Sequence, residues 1–192
     1  MSARRTQQAH TLVADVISAG DIAVDATAGN GHDTIFLARC VGPRGRVFSF
    51  DVQRQALAAT EAAVNTLDPV LACRVELILD DHAILAARLP PAMRGRVAAI
   101  MFNLGYLPGG DKQVTTRVES TLAAVHAGAQ LLRPGGLITV VGYVGHASGR
   151  QEVDVLEEML QDGSSPLAWR EHDAHGAPSN APRLFAGIKS QG

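Results

Sequence analysis

Asp25, Asp33 and Asp51 flank a glycine turn, in the segments DATAGNGHDT (Asp25–Thr34) and FDVQ (Phe50–Gln53). Gly29 and Gly31 let the backbone turn tightly and approach a ligand with no Cβ in the way. Asp51 lies 20 residues after Gly31, at the end of the next apolar run. A carboxylate there can accept both ribose hydroxyls of an adenosine-containing cofactor. A dinucleotide loop would want a third glycine for close helix packing, with pyrophosphate on the helix N-terminus. This chain has Thr34 at that place. Asp33 would repel pyrophosphate but can face the sulfonium or the amino group of S-adenosylmethionine, and Asp25 is similarly placed for the amino group. A nucleotide-dependent oxidoreductase remains the alternative. So does a purely structural reading, with Asp25 and Asp51 as caps and Asp33 as a favourable first-turn charge.

Further polar residues follow later apolar runs. Asp80-Asp81-His82 stands where an acidic group can read the exocyclic amine of adenine. Asn103-Leu104-Gly105-Tyr106, within MFNLGYLPGGDK (Met101–Lys112), matches the place of the Asn-Pro-Pro-aromatic loop of amino-directed methyltransferases. Transfer to nitrogen needs a lone pair aimed in line at the methyl group. An Asn side-chain oxygen and a backbone carbonyl can set that direction, so the catalysis is mostly positioning. Tyr106 can stack on a flat base. Tyr143 and His146 lie in GYVGHASGRQE (Gly142–Glu152), a glycine-containing segment read as a tight or moving loop. His146, with a reference pKa of about 6.5, is the candidate proton acceptor for an ammonium substrate. Arg150 reads either as a phosphate contact or as a partner of Glu152. His10, His126, His172 and His175 join no constellation.

The elements that must position these residues alternate. Apolar runs at Ile22–Ala26, Arg46–Phe50, Val75–Leu79, Val97–Phe102 and Leu137–Val141 are separated by helical segments at His32–Val41, Gln53–Leu67, Ile84–Leu89 and Val114–Leu132, after a first helix over Thr6–Ala19. Such alternation predicts right-handed crossovers and a largely parallel α/β sheet covered on both faces. GPRG (Gly42–Gly45), PGG (Pro108–Gly110) and RPGG (Arg133–Gly136) read as turns. A helix over Gln151–Gln161 precedes two runs, Leu167–His172 and Arg183–Lys189, with no helix between them, which predicts an antiparallel hairpin at the sheet edge.

The 192 residues suit one domain, residues 1–192. With 46% hydrophobic and 19% charged residues, disordered and fibrous classes are excluded. No apolar run reaches the roughly 18 residues of a membrane span, and a cytoplasmic protein is expected. A net charge of −2 argues against bulk electrostatic coating of nucleic acid. Of the 17 basic residues only Lys112 and Lys189 are lysines, so phosphate contacts would fall to arginine, with Arg4, Arg5, Arg117 and Arg150 as candidates. Cys40 and Cys73 read as small buried hydrophobes, and no metal site is expected.

Taken together, DATAGNGHDT, FDVQ, MFNLGYLPGGDK and GYVGHASGRQE resemble a bacterial family first described as rRNA methylases, the MnmM-type methyltransferases of tRNA wobble uridine. The resemblance runs over residues 6–189. It implies a Rossmann-like class I methyltransferase with a seven-stranded sheet, S-adenosylmethionine as cofactor and the anticodon region of tRNA as partner. The implied reaction is methylation of the amine of 5-aminomethyl-2-thiouridine. A homodimer could extend the arginine surface. Alternative acceptors are an rRNA base or a small amine, and a non-catalytic RNA-binding protein could retain the same fold. Carried over by position, the cofactor site comprises Asp25, Thr27, Gly29, Asn30, Gly31, Asp33, Thr34, Asp51, Gln53, Asp81 and His82. The acceptor side comprises Asn103, Tyr106, Asp111, Tyr143 and His146. The chain departs from the family at Asp80-Asp81-His82-Ala83, at Val144, at Ser148 and at Asn180-Ala181-Pro182-Arg183, where the family has Asp-Ser-His-Glu, Pro, Gly and Asn-x-Pro-Pro.

Overall fold

The apolar runs become seven strands of one sheet in the computed structural model, which describes residues 2–107, 109, 115–144, 147–161, 165–172 and 181–191. They are β1 (Ile22–Asp25), β2 (Arg46–Asp51), β3 (Val75–Leu79), β4 (Val97–Asn103), β5 (Leu132–Gly142), β6 (Leu167–His172) and β7 (Arg183–Lys189). Their spatial order is β3-β2-β1-β4-β5-β7-β6. The first five run parallel, and β7 pairs antiparallel with both β5 and β6. The expected mostly parallel sheet with a C-terminal antiparallel hairpin is therefore present. Because β1 is followed outward by β2 on one side and by β4 on the other, the strand order reverses there. A crevice opens at such a point beyond the carboxyl ends of the strands.

Helices cover both faces: α1 (Ser2–Ala14), α2 (His32–Val41), α3 (Arg54–Val64), α4 (Pro69–Ala72), α5 (Leu85–Arg88), α6 (Val118–Leu131) and α7 (Ala147–Gln161). Alternate residues of each strand serve opposite layers, as the two-residue side-chain period requires. Ala23, Val47, Ala99, Met101 and Val141 pack with Ala9 and Val13 of α1 and with Leu37, Ala38 and Val41 of α2. Val24, Phe48, Phe50, Ile100 and Phe102 pack with Leu85 of α5, Val125 of α6 and Leu156 of α7. Small residues dominate the first layer at β1 and β4, and phenylalanines fill the second. Each fully buried phenylalanine contributes about 1.5–3 kcal/mol of burial energy.

Several boundaries differ from expectation: α1 begins at Ser2 rather than Thr6, α3 ends at Val64 rather than Leu67, and α6 begins at Val118 rather than Val114. The first helix ends at Ala14 rather than Ala19, since a turn closes there, with Asp21 accepting the Ser18 N–H at 2.8 Å and Gly20 at φ +98°. RPGG is not a connection between helix and strand. Pairing along β5 jumps from Leu132 to Leu137, so Arg133–Gly136 bulges out within the strand, with Gly135 at φ +72°. The last long helix begins at Ala147, which places Gly149 and Arg150 on a helix rather than on a loop.

Candidate functional site

Strand β1 delivers Asp25 to the carboxyl edge, and the chain then turns through Gly29 (φ +53°) and Gly31 (φ +82°) into α2. A Cβ on Gly31 would stand 3.0 Å from the Cα of Thr60, so α3 packs directly on the turn. Three bonds hold the turn in place. The Ala28 N–H donates to the Phe50 carbonyl at 2.8 Å, the Thr60 hydroxyl donates to the Gly29 carbonyl at 3.1 Å, and the Gly29 N–H donates to Asp51 Oδ2 at 3.0 Å. Asp51 Oδ1 accepts the Gln53 N–H at 2.9 Å. An ionised carboxylate has about four lone-pair sites, so the half-buried Asp51 keeps accepting capacity beyond these two bonds.

Asp25 is fully buried. It accepts the Thr34 hydroxyl at 2.6 Å and the Thr27 N–H at 3.1 Å. Burial, and then the negative charge of Asp33, push its pKa up to about 7, against the pull of its two donors, with Asp51 adding a smaller upward push. Ser49 completes the cluster with its hydroxyl 3.0 Å from that of Thr34. Thr34 is buried, and its hydroxyl is turned to Asp25. Asp33 is also buried and meets His10 Nε2 at 2.6 Å, while the His10 ring stacks on Phe36 at 3.9 Å. His10 therefore does join a constellation. Asn30 is exposed beside the turn.

One strand beyond β2, Asp81 caps the short turn after β3, accepting the Ala83 N–H at 2.8 Å. His82 is buried, its Nδ1 lying 3.2 Å from the Ala26 carbonyl and its ring edge against Phe102. Nδ1 donates to that carbonyl, which leaves Nε2 as a buried acceptor with no hydrogen-bond partner among the described residues. Burial lowers the His82 pKa, which favours the neutral ring.

The Asn103–Tyr106 segment is tied to the glycine turn. The Asn103 N–H donates to Thr27 Oγ1 at 2.7 Å, and the Leu104 N–H donates to the Val141 carbonyl at 2.9 Å. Tyr106 is 39% exposed and bridges to Thr115. Tyr143, just past β5, is half-buried and packs beside the α1–α2 core layer. Asn103, Thr27, Asp25 and Asp51 thus sit at or just beyond the ends of β4, β1 and β2. His146 and Asp111 lie outside the described residues.

Sequence reasoning missed two partners here, His10 and Glu152. Glu152 is 2% exposed and accepts hydroxyl bonds from Thr116 at 2.8 Å and from Thr121 at 2.9 Å. Its spacing to Leu156, one helical turn on, was the available signal of a buried face. Arg150 is exposed, and the bonds described to Glu152 come from the two threonines. Arg5, read as a surface residue, is 7% exposed and donates from Nε to the Pro182 carbonyl at 3.0 Å, fastening α1 to the hairpin. Cys73 is exposed rather than buried, and Cys40 is half-buried. Among the described residues no cluster has metal-binding composition, and no helix is long and apolar enough to cross a membrane.

A seven-stranded sheet of this order with a glycine turn and acidic residues at its switch point is the architecture of class I methyltransferases. The chain belongs to the family described as "Putative rRNA methylase", whose model matches residues 47–175. It superposes on a crystal structure described as a "putative rRNA-methylase" from Clostridium thermocellum with a TM-score of 0.88 and 38% identity, covering 96% of this chain and 97% of that one. A Streptococcus mutans protein described as a "putative methyltransferase", solved in complex with SAH, gives a TM-score of 0.82 and 28% identity, covering 96% and 97%. An Arabidopsis thaliana protein named tRNA (mnm(5)s(2)U34)-methyltransferase, chloroplastic, is 38% identical over 163 residues, or 80% of this chain. The chain spans 58% of that relative's length. The relative's plastid location leaves the cytoplasmic expectation without support.

Proposed function

We propose that this chain is an S-adenosylmethionine-dependent N-methyltransferase acting on the aminomethyl group of 5-aminomethyl-2-thiouridine at the tRNA wobble position. The observation that carries the reading is the junction of an acidic glycine turn with the Asn103 loop through a single side chain, Thr27. The residues present fit the cofactor. Asp25 is an acid whose pKa is raised first by its burial and then by the negative charge of Asp33, an arrangement that a cationic ligand relieves and a pyrophosphate aggravates. His82 Nε2 offers an orphaned buried acceptor at the same edge. Asp51 and the Gly29 turn would hold the ribose side, Asp81 and His82 the adenine side, and Asp25 with Asp33 the amino-acid side.

When bound, S-adenosylmethionine supplies an electrophilic methyl group. The protein's part is to orient the acceptor amine, with Asn103 and a carbonyl of its loop accepting the amine N–H bonds and Tyr106 walling the base. His146 is our candidate for taking the proton from an ammonium substrate. The named Arabidopsis relative supports tRNA as substrate, and Arg117 and Arg150, both exposed on segments flanking the acceptor loop, are the arginines we assign to phosphate. A cytoplasmic location accords with such a substrate.

Methyl transfer from labelled cofactor to unfractionated tRNA lacking the modification tests cofactor, activity and substrate together. The expected product is 5-methylaminomethyl-2-thiouridine by nucleoside mass spectrometry. Asp51→Ala is expected to abolish thermal stabilisation by S-adenosylmethionine. Stabilisation by NAD with indifference to S-adenosylmethionine would overturn the reading in favour of an oxidoreductase.

A further inference from the structure

Glu152 lies in the first turns of α7, far along the chain from the acceptor loop, yet it is bonded to that loop through one side chain. Its Oε2 accepts a hydrogen bond from the Thr116 hydroxyl at 2.8 Å, and its Oε1 accepts one from that of Thr121, on α6, at 2.9 Å. A hydroxyl has one proton, so Thr116 Oγ1 turns only lone pairs towards the Gly105 N–H, which it accepts at 3.0 Å. The Thr116 N–H returns a bond to the Gly105 carbonyl at 3.1 Å. Both backbone polar groups of Gly105 are thereby held between Asn103 and Tyr106.

We propose that Glu152 is a positioning residue for the acceptor, acting through the Thr116 hydroxyl to fix the Gly105 backbone and with it the Asn103–Tyr106 loop. An almost fully buried carboxylate bonded to two hydroxyls is costly to retain compared with an apolar side chain. Its direction-setting role on those hydroxyls is what an apolar residue could not supply. Burial raises the Glu152 pKa while both hydroxyl bonds favour the ionised, accepting form. The enzymatic arm of this inference rests on the proposed methyl transfer.

The test compares Glu152→Gln, Thr116→Val, Thr116→Ser and Thr121→Val in the full chain, by hydrogen–deuterium exchange, S-adenosylhomocysteine affinity and steady-state kinetics. Losing a bond to a buried charged group corresponds to about a tenfold effect or more. Glu152→Gln and Thr116→Val should therefore speed exchange in residues 103–107 about tenfold, leaving residues 26–31 and S-adenosylhomocysteine affinity within about twofold. They should lower kcat with the KM for S-adenosylmethionine unchanged. Thr116→Ser, which keeps the hydroxyl, should behave as wild type, and Thr121→Val should have the smaller effect. The double variant Glu152→Gln/Thr116→Val should be no worse than Glu152→Gln alone. Loss of cofactor affinity in parallel with turnover, or unchanged exchange in 103–107 in both Glu152→Gln and Thr116→Val, overturns the inference. Should Glu152→Gln fail to fold, the Thr116→Val and Thr116→Ser pair decides it alone. Wild-type protein inactive on tRNA would overturn the proposed function, while the exchange pattern would still decide the role of Glu152.

Discussion

Asp25 is the residue whose chemistry depends most on its burial. Its folded pKa, about 7, stands above the ordinary 3.8. The native protein therefore holds a proton that the unfolded chain has released between those values. The contribution of Asp25 to stability falls as pH rises through that window and is level above it. A cationic ligand reverses the preference by favouring the ionised form. Affinity for S-adenosylmethionine should rise from pH 6 to pH 8 with release of a proton, detectable by calorimetry in buffers of different ionisation enthalpy. Asp25→Asn should bind more weakly and without that pH dependence, and a flat wild-type profile would contradict this. Asp25 and Asp51 were legible as candidates because the turn that groups them is local in the chain. The partners of Asp33 and Gly105 were not: His10 lies 23 residues before Asp33, and Thr116 and Glu152 meet only when α7 packs against α6.

Among the elements, the glycine turn and α3 are fitted to each other. Gly31→Ala would place a Cβ against the Thr60 backbone and force an L side chain to φ +82°. It should destabilise the fold by about 1–3 kcal/mol, readable by denaturant titration. A variant as stable as wild type would mean that α3 has room to retreat. All seven strands were recognisable as runs closed by turn residues, most plainly β1 and β4, where burial on both faces imposes an apolar composition along nearly the whole strand. The start of β5 was hidden by RPGG, whose glycine serves a bulge instead of a connection. The extent of α1 was obscured too, because Val16 and Ile17 continue its apolar face into the turn beyond Ala14 although the backbone is no longer helical.

For the molecule as a whole, the net charge of −2 makes any hold on tRNA a local matter. Arg5 is consumed in the interior, so the exposed Arg117 and Arg150 carry that expectation. Each alanine variant should weaken tRNA binding and reduce the slope of log K against log salt by about 1. Unchanged slopes in both would move the RNA surface elsewhere.

The seventh strand in chain order does not occupy the sheet's outer position. As the polypeptide elongates, β5 presents an open edge and β6 has nothing to pair with until residues 183–189 are made and slide between them. That insertion also supplies Arg5 of α1 with the Pro182 carbonyl and brings Lys189 Nζ to the carbonyls of Ala129 and Leu132. The first helix and β7 are thus fastened at neighbouring points of the chain, Pro182 and Lys189 bracketing the strand. A nascent or truncated chain stopped short of β7 would offer the unpaired edge of β5 to any neighbouring chain. Its hazard during synthesis is therefore aggregation through that edge, and residues 183–189 end it.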